Sequence, residues 1–173
     1  MVIHQKVLSR EIGEYLWRGG ATVSTAESCT AGAIAAAITS VPGASTYFKG
    51  GVVAYSDEVK EHLLHVSADL LKQKGAVSEE VAVGMVEGAL DALKTTYAVA
   101  VTGFAGPTGG PEAPVGTIWI AVGTAGDIRT RMLSGDEGRE ANLMRAVLVA
   151  LQMLLERLEA DFSLPDDTDK GEK

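Results

Sequence analysis

Three short β-rich apolar runs, residues 21–26, 51–55 and 98–101, are separated by stretches of helical periodicity, and this alternation constrains the fold more than any other feature. Strands joined through helices lie parallel in one sheet, because a parallel connection needs a crossover of roughly a dozen residues or more. The first helix, residues 4–17, repeats apolar side chains at Val7, Leu8, Ile12, Tyr15 and Leu16 and stops at Gly19-Gly20. The first strand runs into Glu27-Ser28-Cys29-Thr30 and an alanine-rich helix over residues 31–41, closed by Pro42-Gly43. The second strand ends near Tyr55, where Ser56 caps a short helix with Asp57 and Glu58 in its first turn and Lys60 behind them. A further helix opens at Ser78-Glu79-Glu80 and runs to about residue 94.

Past residue 103 the alternation pauses in a Gly- and Pro-rich stretch, residues 103–116. A strand over 115–122, a hairpin turn at Gly126-Asp127 and a strand over 128–133 follow, which introduces one antiparallel pairing. The last helix, residues 137–158, carries Leu143, Val147, Leu151, Leu154 and Leu158 on one face and packs across the sheet. The expected architecture is a three-layer α/β/α sandwich with a mixed, mostly parallel sheet.

A chain of 173 residues fits one domain, placed at residues 1–160, and the acidic, apolar-poor residues 161–173 read as a flexible tail. A net charge of −8 argues against a surface that neutralises a nucleic-acid backbone. No run approaches the roughly 20 apolar residues that span a bilayer, and the N-terminus lacks the pattern of a secretory signal, so a cytoplasmic location is expected. Cys29 is the only cysteine, which excludes an internal disulfide, and with three scattered histidines it gives no zinc-ligand spacing. Neither a metal nor another cofactor is expected.

Chemistry concentrates at the strand-to-helix junctions. Ser28 at a helix N-terminus is both a helix cap and a candidate nucleophile, with the amides of Cys29 and Thr30 as donors to an oxyanion. Cys29 is the competing nucleophile, but no histidine accompanies it, which points to a structural role. Tyr55 and Lys60 flank the second junction. An amine serves as a base there only where its surroundings disfavour the ammonium form; otherwise it is a solvated helix lysine. The loop Thr102-Gly103-Phe104-Ala105-Gly106-Pro107-Thr108-Gly109-Gly110 is rich in free amides, as phosphate cradles are, yet lacks the ending of a P-loop.

In this order, Ala26-Glu27-Ser28-Cys29-Thr30-Ala31-Gly32, Pro42-Gly43-Ala44-Ser45, Tyr55-Ser56 with Lys60, Gly75-Ala76-Val77-Ser78, residues 101–107 and Pro114-Val115-Gly116-Thr117 resemble the CinA C-terminal domain family, from the first helix to about Leu158. The resemblance implies an amidohydrolase that converts nicotinamide mononucleotide (NMN) to nicotinate mononucleotide and ammonia without cofactor or metal. It implies Ser28 as nucleophile, Lys60 or Tyr55 as its base, and a homodimer. By the same resemblance Thr102, Gly103, Gly106, Thr108, Gly109 and Gly110 would hold part of the nucleotide; independently of it, the planar guanidinium groups of Arg139 and Arg145 near the start of the last helix are expected to meet its phosphate. Phe104 and Thr108 depart from the family, where an aliphatic residue and glycine are usual. Longer members carry an N-terminal molybdopterin-binding-like domain linked to pyrophosphatase activity; this sequence lacks its motifs, and that activity is not expected. The rival reading is a non-catalytic nucleotide-binding module of a competence or damage-inducible system.

Overall fold

The computed structural model describes residues 3–162. In chain order it contains α1 (Ile3–Arg18), β1 (Val23–Glu27), α2 (Ala33–Thr39), a 3-10 turn (Ala44–Thr46), β2 (Phe48–Val53), α3 (Asp57–Leu64), α4 (Ala68–Lys74) and α5 (Glu79–Leu93). Strands β3 (Tyr97–Gly103), β4 (Ile118–Thr124) and β5 (Asp127–Leu133) and helix α6 (Arg139–Asp161) complete it. The five strands form one sheet in the order β2-β1-β3-β4-β5.

The sheet is mixed, as expected, but two of its pairings are antiparallel rather than one. β1 runs parallel to β2 and β3, whereas β3–β4 and β4–β5 are antiparallel. No helix separates β3 from β4, so the chain returns without the crossover that a parallel neighbour requires.

Helices cover both faces. On one, Ile12, Leu16, Ile34, Ile38, Leu151, Leu154 and Leu158 of α1, α2 and α6 meet Val99, Val101, Ile118 and Ile120. On the other, Leu64, Leu71, Val81, Met85 and Val86 of α3, α4 and α5 meet Ala26, Ala98, Ala100 and Ala121. The alternation along β3 of valine on one side and alanine on the other is the period-2 signature of a strand buried on both faces. Small residues facing α5 bring that helix close.

The last helix extends beyond the expected boundary at residue 158, through Asp161, and Phe162 stacks edge-on against Tyr97. The remainder of the proposed tail, residues 163–173, lies outside the described residues. Among the described residues no helix is long and apolar enough to cross a membrane.

This topology fixes where a site can lie. Because β1, β2 and β3 are parallel, Glu27, Val53 and Gly103 end at one edge of the sheet. The helices that follow β1 and β2 then leave on opposite faces, and such a divergence opens a crevice beyond the carboxyl ends of the strands.

Candidate active site

Ser28 follows directly on β1, and its amide donates to the Val101 carbonyl of β3 at 2.9 Å, an extension of the sheet by one residue. It is not the cap of α2. That helix begins only at Ala33, behind a turn in which Ala31 (φ 51) and Gly32 (φ 95) both adopt left-handed backbone. The cap is Glu27. Its fully buried carboxylate accepts from the Thr30 hydroxyl (2.8 Å) and from the amides of Gly32 (3.1 Å), Ile34 (3.0 Å) and Ala35 (2.8 Å).

The expected oxyanion site at the helix terminus is thereby changed. The terminal amides of α2 already face a carboxylate, so the dipole of this short helix is neutralised from within. The amides of Cys29 and Thr30 donate to no backbone carbonyl, and of the two residues only Cys29 lines the cleft described next.

A cleft of about 250 Å³ opens at this edge. Ser28, Tyr55 and Lys60 all line it, together with Cys29, Thr102, Gly103, Gly106, Thr108 and Arg139. Lys60 is 1% exposed, far from the solvated helix lysine that its sequence neighbourhood also allowed. It is carried inward with Leu64, one turn on, and its Nζ lies 3.4 Å from Asp57 Oδ1. Ser56 caps α3 as expected, accepting from the Val59 amide. Tyr55 lies past the end of β2 and is 58% exposed, with its hydroxyl facing the Arg139 guanidinium at 3.4 Å.

Burial pushes the Cys29 thiol up to about 11, opposed by its own backbone amide and by the positive charges of Arg139 and Lys60. It is therefore a protonated thiol near neutrality and a poor nucleophile, although it lines the cleft.

The expected phosphate site divides. Arg139 is at the cleft, with Nη1 donating to the Gly106 carbonyl at 2.6 Å. Arg145 is not among the lining residues; it pairs with Glu137 at 3.0 Å and donates to the carbonyls of Ser134 and Gly135, bracing the loop before α6. Gly109 and Gly110 also lie outside the lining. Gly110 packs under the Phe104 ring, which itself faces the cleft, and a side chain at Gly110 would collide with that ring. Thr102 is buried and donates to the Ala76 carbonyl at 2.8 Å. Thr30 too is absent from the lining residues, and its hydroxyl turns to Glu27.

Two contributors escaped the sequence reading. Asp57 was visible only as a helix-dipole partner, yet it lines the cleft as the ion-pair partner of Lys60. Glu27 carries no local signal of its role, because capping from six residues before a helix lies outside the usual N-cap spacing. Size alone does not mark the site. A depression of about 610 Å³ between α3, α4 and α5 is lined by acids of which Glu79, Glu80 and Asp91 already have partners in Thr130, Lys74 and Lys94.

A serine and a buried lysine sharing one cleft at the carboxyl edge of an α/β sheet make this a candidate hydrolase site. Residues 5–158 match the CinA C-terminal domain, and the chain belongs to that family. It is similar to the nicotinamide-nucleotide amidohydrolase PncC of Escherichia coli K12, 48% identical over 151 residues that cover 85% of this chain and 90% of the relative. The enzyme of the same name from Pseudomonas putida is 47% identical over 150 residues, covering 86% and 94%. The crystal structure of the competence/damage inducible protein CihA from Agrobacterium tumefaciens superposes with a TM-score of 0.86 at 38% identity, covering 92% of this chain and 99% of the other.

Proposed function

We propose that this chain is a nicotinamide-nucleotide amidohydrolase in which Ser28 attacks the carboxamide of NMN. The observation that carries the proposal is the full burial of Lys60 in the same cleft as Ser28 and Tyr55. Burial costs a lysine its hydration, and one 3.4 Å contact with the exposed Asp57 offsets little of that, which supports a chemical role for Lys60 at a cleft that also holds Ser28. Similarity to the nicotinamide-nucleotide amidohydrolases supports the choice of substrate.

In this reading the Ser28 hydroxyl adds to the carboxamide carbon, and its proton passes to the Lys60 side chain. Lys60 is preferred over Tyr55 because it is enclosed, whereas Tyr55 is largely exposed and held by Arg139. The tetrahedral oxygen is stabilised by the Cys29 and Thr30 amides. Collapse breaks the C–N bond, Lys60 returns the proton to the leaving nitrogen, and ammonia departs from an ester on Ser28. Water then cleaves that ester to nicotinate mononucleotide and restores the serine. Thr102, Gly103, Gly106 and Thr108 hold the nucleotide, and Arg139 offers a planar fork to its phosphate. Nucleophile, base and oxyanion donors all belong to the chain, so the reaction calls for no metal. In the same reading the enzyme is cytoplasmic, and it is a homodimer by analogy with the family.

Purified protein given NMN and EDTA should release ammonia, and Ser28→Ala should lower kcat by roughly 10³-fold or more. Lys60→Met should do the same, with Tyr55→Phe milder. Full turnover in Ser28→Ala would rule the proposal out, and NMN binding without ammonia from the unmodified protein would favour a non-catalytic module.

A further inference from the structure

A fully buried carboxylate immediately before the nucleophile calls for an explanation, because an ionised acid in a core is costly unless several donors meet it. Glu27 meets four. Oε2 accepts from the Thr30 hydroxyl and from the amides of Gly32 and Ile34, and Oε1 accepts from the Ala35 amide. These donors span the whole turn between Ser28 and the body of α2. The turn contains two consecutive residues with positive φ, one of them Ala31, a conformation that a β-carbon disfavours. A serine or aspartate cap would serve the helix alone more simply.

We propose that Glu27 is a positioning residue for the reaction. By drawing the amides of α2 and the Thr30 side chain onto itself, its carboxylate holds the strained turn closed. The Ser28 hydroxyl and the Cys29 and Thr30 amides are thereby kept fixed beside the cleft. The far end of Ser28 is tied to β3 through its amide and Val101, so the nucleophile is clamped from both sides. This inference rests on Ser28 being the nucleophile.

Glutamine is the informative substitution. It has one acceptor oxygen and one NH2 group, so whichever way it turns, the NH2 confronts either Ala35 N–H or the three donors that converge on the other oxygen. Glu27→Gln, Glu27→Asp, Thr30→Val and Ser28→Ala should be compared with the unmodified protein for kcat, KM and thermal midpoint on NMN. Glu27→Gln should lower kcat about 100-fold with KM within about threefold, since a displaced oxyanion donor acts on the transition state and not on substrate binding. Glu27→Asp, which restores the charge, should recover about tenfold of that loss. Thr30→Val removes one donor to Glu27 while leaving its own amide intact, and should lower kcat about fivefold with little change in thermal midpoint.

A purely structural role predicts a different pattern: a lowered midpoint, with kcat per folded molecule unchanged. That pattern, or a rise in KM at constant kcat, overturns the proposal. Should Glu27→Gln not fold, Thr30→Val decides, and an unchanged kcat there overturns it equally. Inactive Ser28→Ala beside fully active Glu27→Gln refutes the role of Glu27 alone; active Ser28→Ala removes the nucleophile and this inference together.

Discussion

Ser28 and Cys29 are adjacent in the same cleft, and their difference in reactivity comes from proton affinity. The thiol, raised to about 11 by burial, stays protonated at pH 7, and alkylation needs the thiolate. Iodoacetamide should therefore label the folded protein slowly, with a rate that rises toward a midpoint near 11, while the unfolded chain should show a midpoint near about 8.5. A folded-state midpoint at or below the unfolded one would show that Cys29 is not shielded. The two arginines separate in the same local way. Arg139 and Arg145 lie six residues apart, so on a helix they point roughly 120° from one another and only one can face the cleft. Arg139→Lys should raise KM for NMN about tenfold by loss of the planar fork, whereas Arg145→Lys should leave KM within about twofold. Equal effects would contradict this division. Both arginines were visible near a helix start, but which face each occupies depends on where the helix begins and how it lies on the sheet. Ser28, Tyr55 and Lys60 were legible because each sits at a strand-to-helix junction, and parallel strands bring such junctions to one edge. Glu27 was not, since its role depends on a turn whose path no spacing rule supplies.

Among the elements, α3 matters most because it carries Lys60, and it is located by α5. At Gly88 of α5 a β-carbon would overlap the Leu64 carbonyl at the end of α3, so the two helices can approach only over glycine. Gly88→Ala should destabilise the protein by about 1–3 kcal/mol, the usual range for overpacking, and should also lower kcat by shifting α3 and Lys60. Urea melts and kinetics on the same preparation check this; normal stability with normal kcat would mean that α3 is free to move without consequence. The sequence revealed α5 and the cap of α3 through strong local signals, Ser78-Glu79-Glu80 and Ser56-Asp57-Glu58. It did not reveal α4, seven residues whose buried face reduces to Leu71, too short for periodicity to register. The expected α2 was likewise too long, because alanine-rich residues 31 and 32 have high helical tendency or small size but are held in left-handed backbone by the Glu27 turn.

Across the whole molecule, α6 connects the catalytic edge of the sheet to the opposite edge, a span of roughly 34 Å. Near its start, Asn142 is fully buried and donates to the Ala105 carbonyl, and Arg139 donates to that of Gly106, fixing the cleft loop. Near its end, the buried Arg157 pairs with Asp127 at 2.6 Å and Asp161 at 2.8 Å, and Tyr97 donates to Asp161 at 2.7 Å. Partial burial acts to raise the Asp161 carboxyl, but the bonds from Arg157 and Tyr97 outweigh it and hold the group below its ordinary range. Tyr97 is pushed upward, first by burial and then by its bond to Asp161. The two shifts act on opposite flanks of the pH curve. A depressed carboxyl contributes stability that is complete above its unfolded value of about 3.9 and is lost as pH falls through the folded value. A raised phenol contributes stability that is complete below about 10 and is lost as pH rises through its folded value. Urea unfolding should therefore show Asp161→Asn less stable by about 1–2 kcal/mol at pH 7, with the gap closing as pH falls below about 4. Tyr97→Phe should show a gap that closes instead above pH 10 or so. KM should change in neither, because the network lies at the edge opposite the cleft. A gap independent of pH in both variants would mean that packing, not charge, anchors this end of α6.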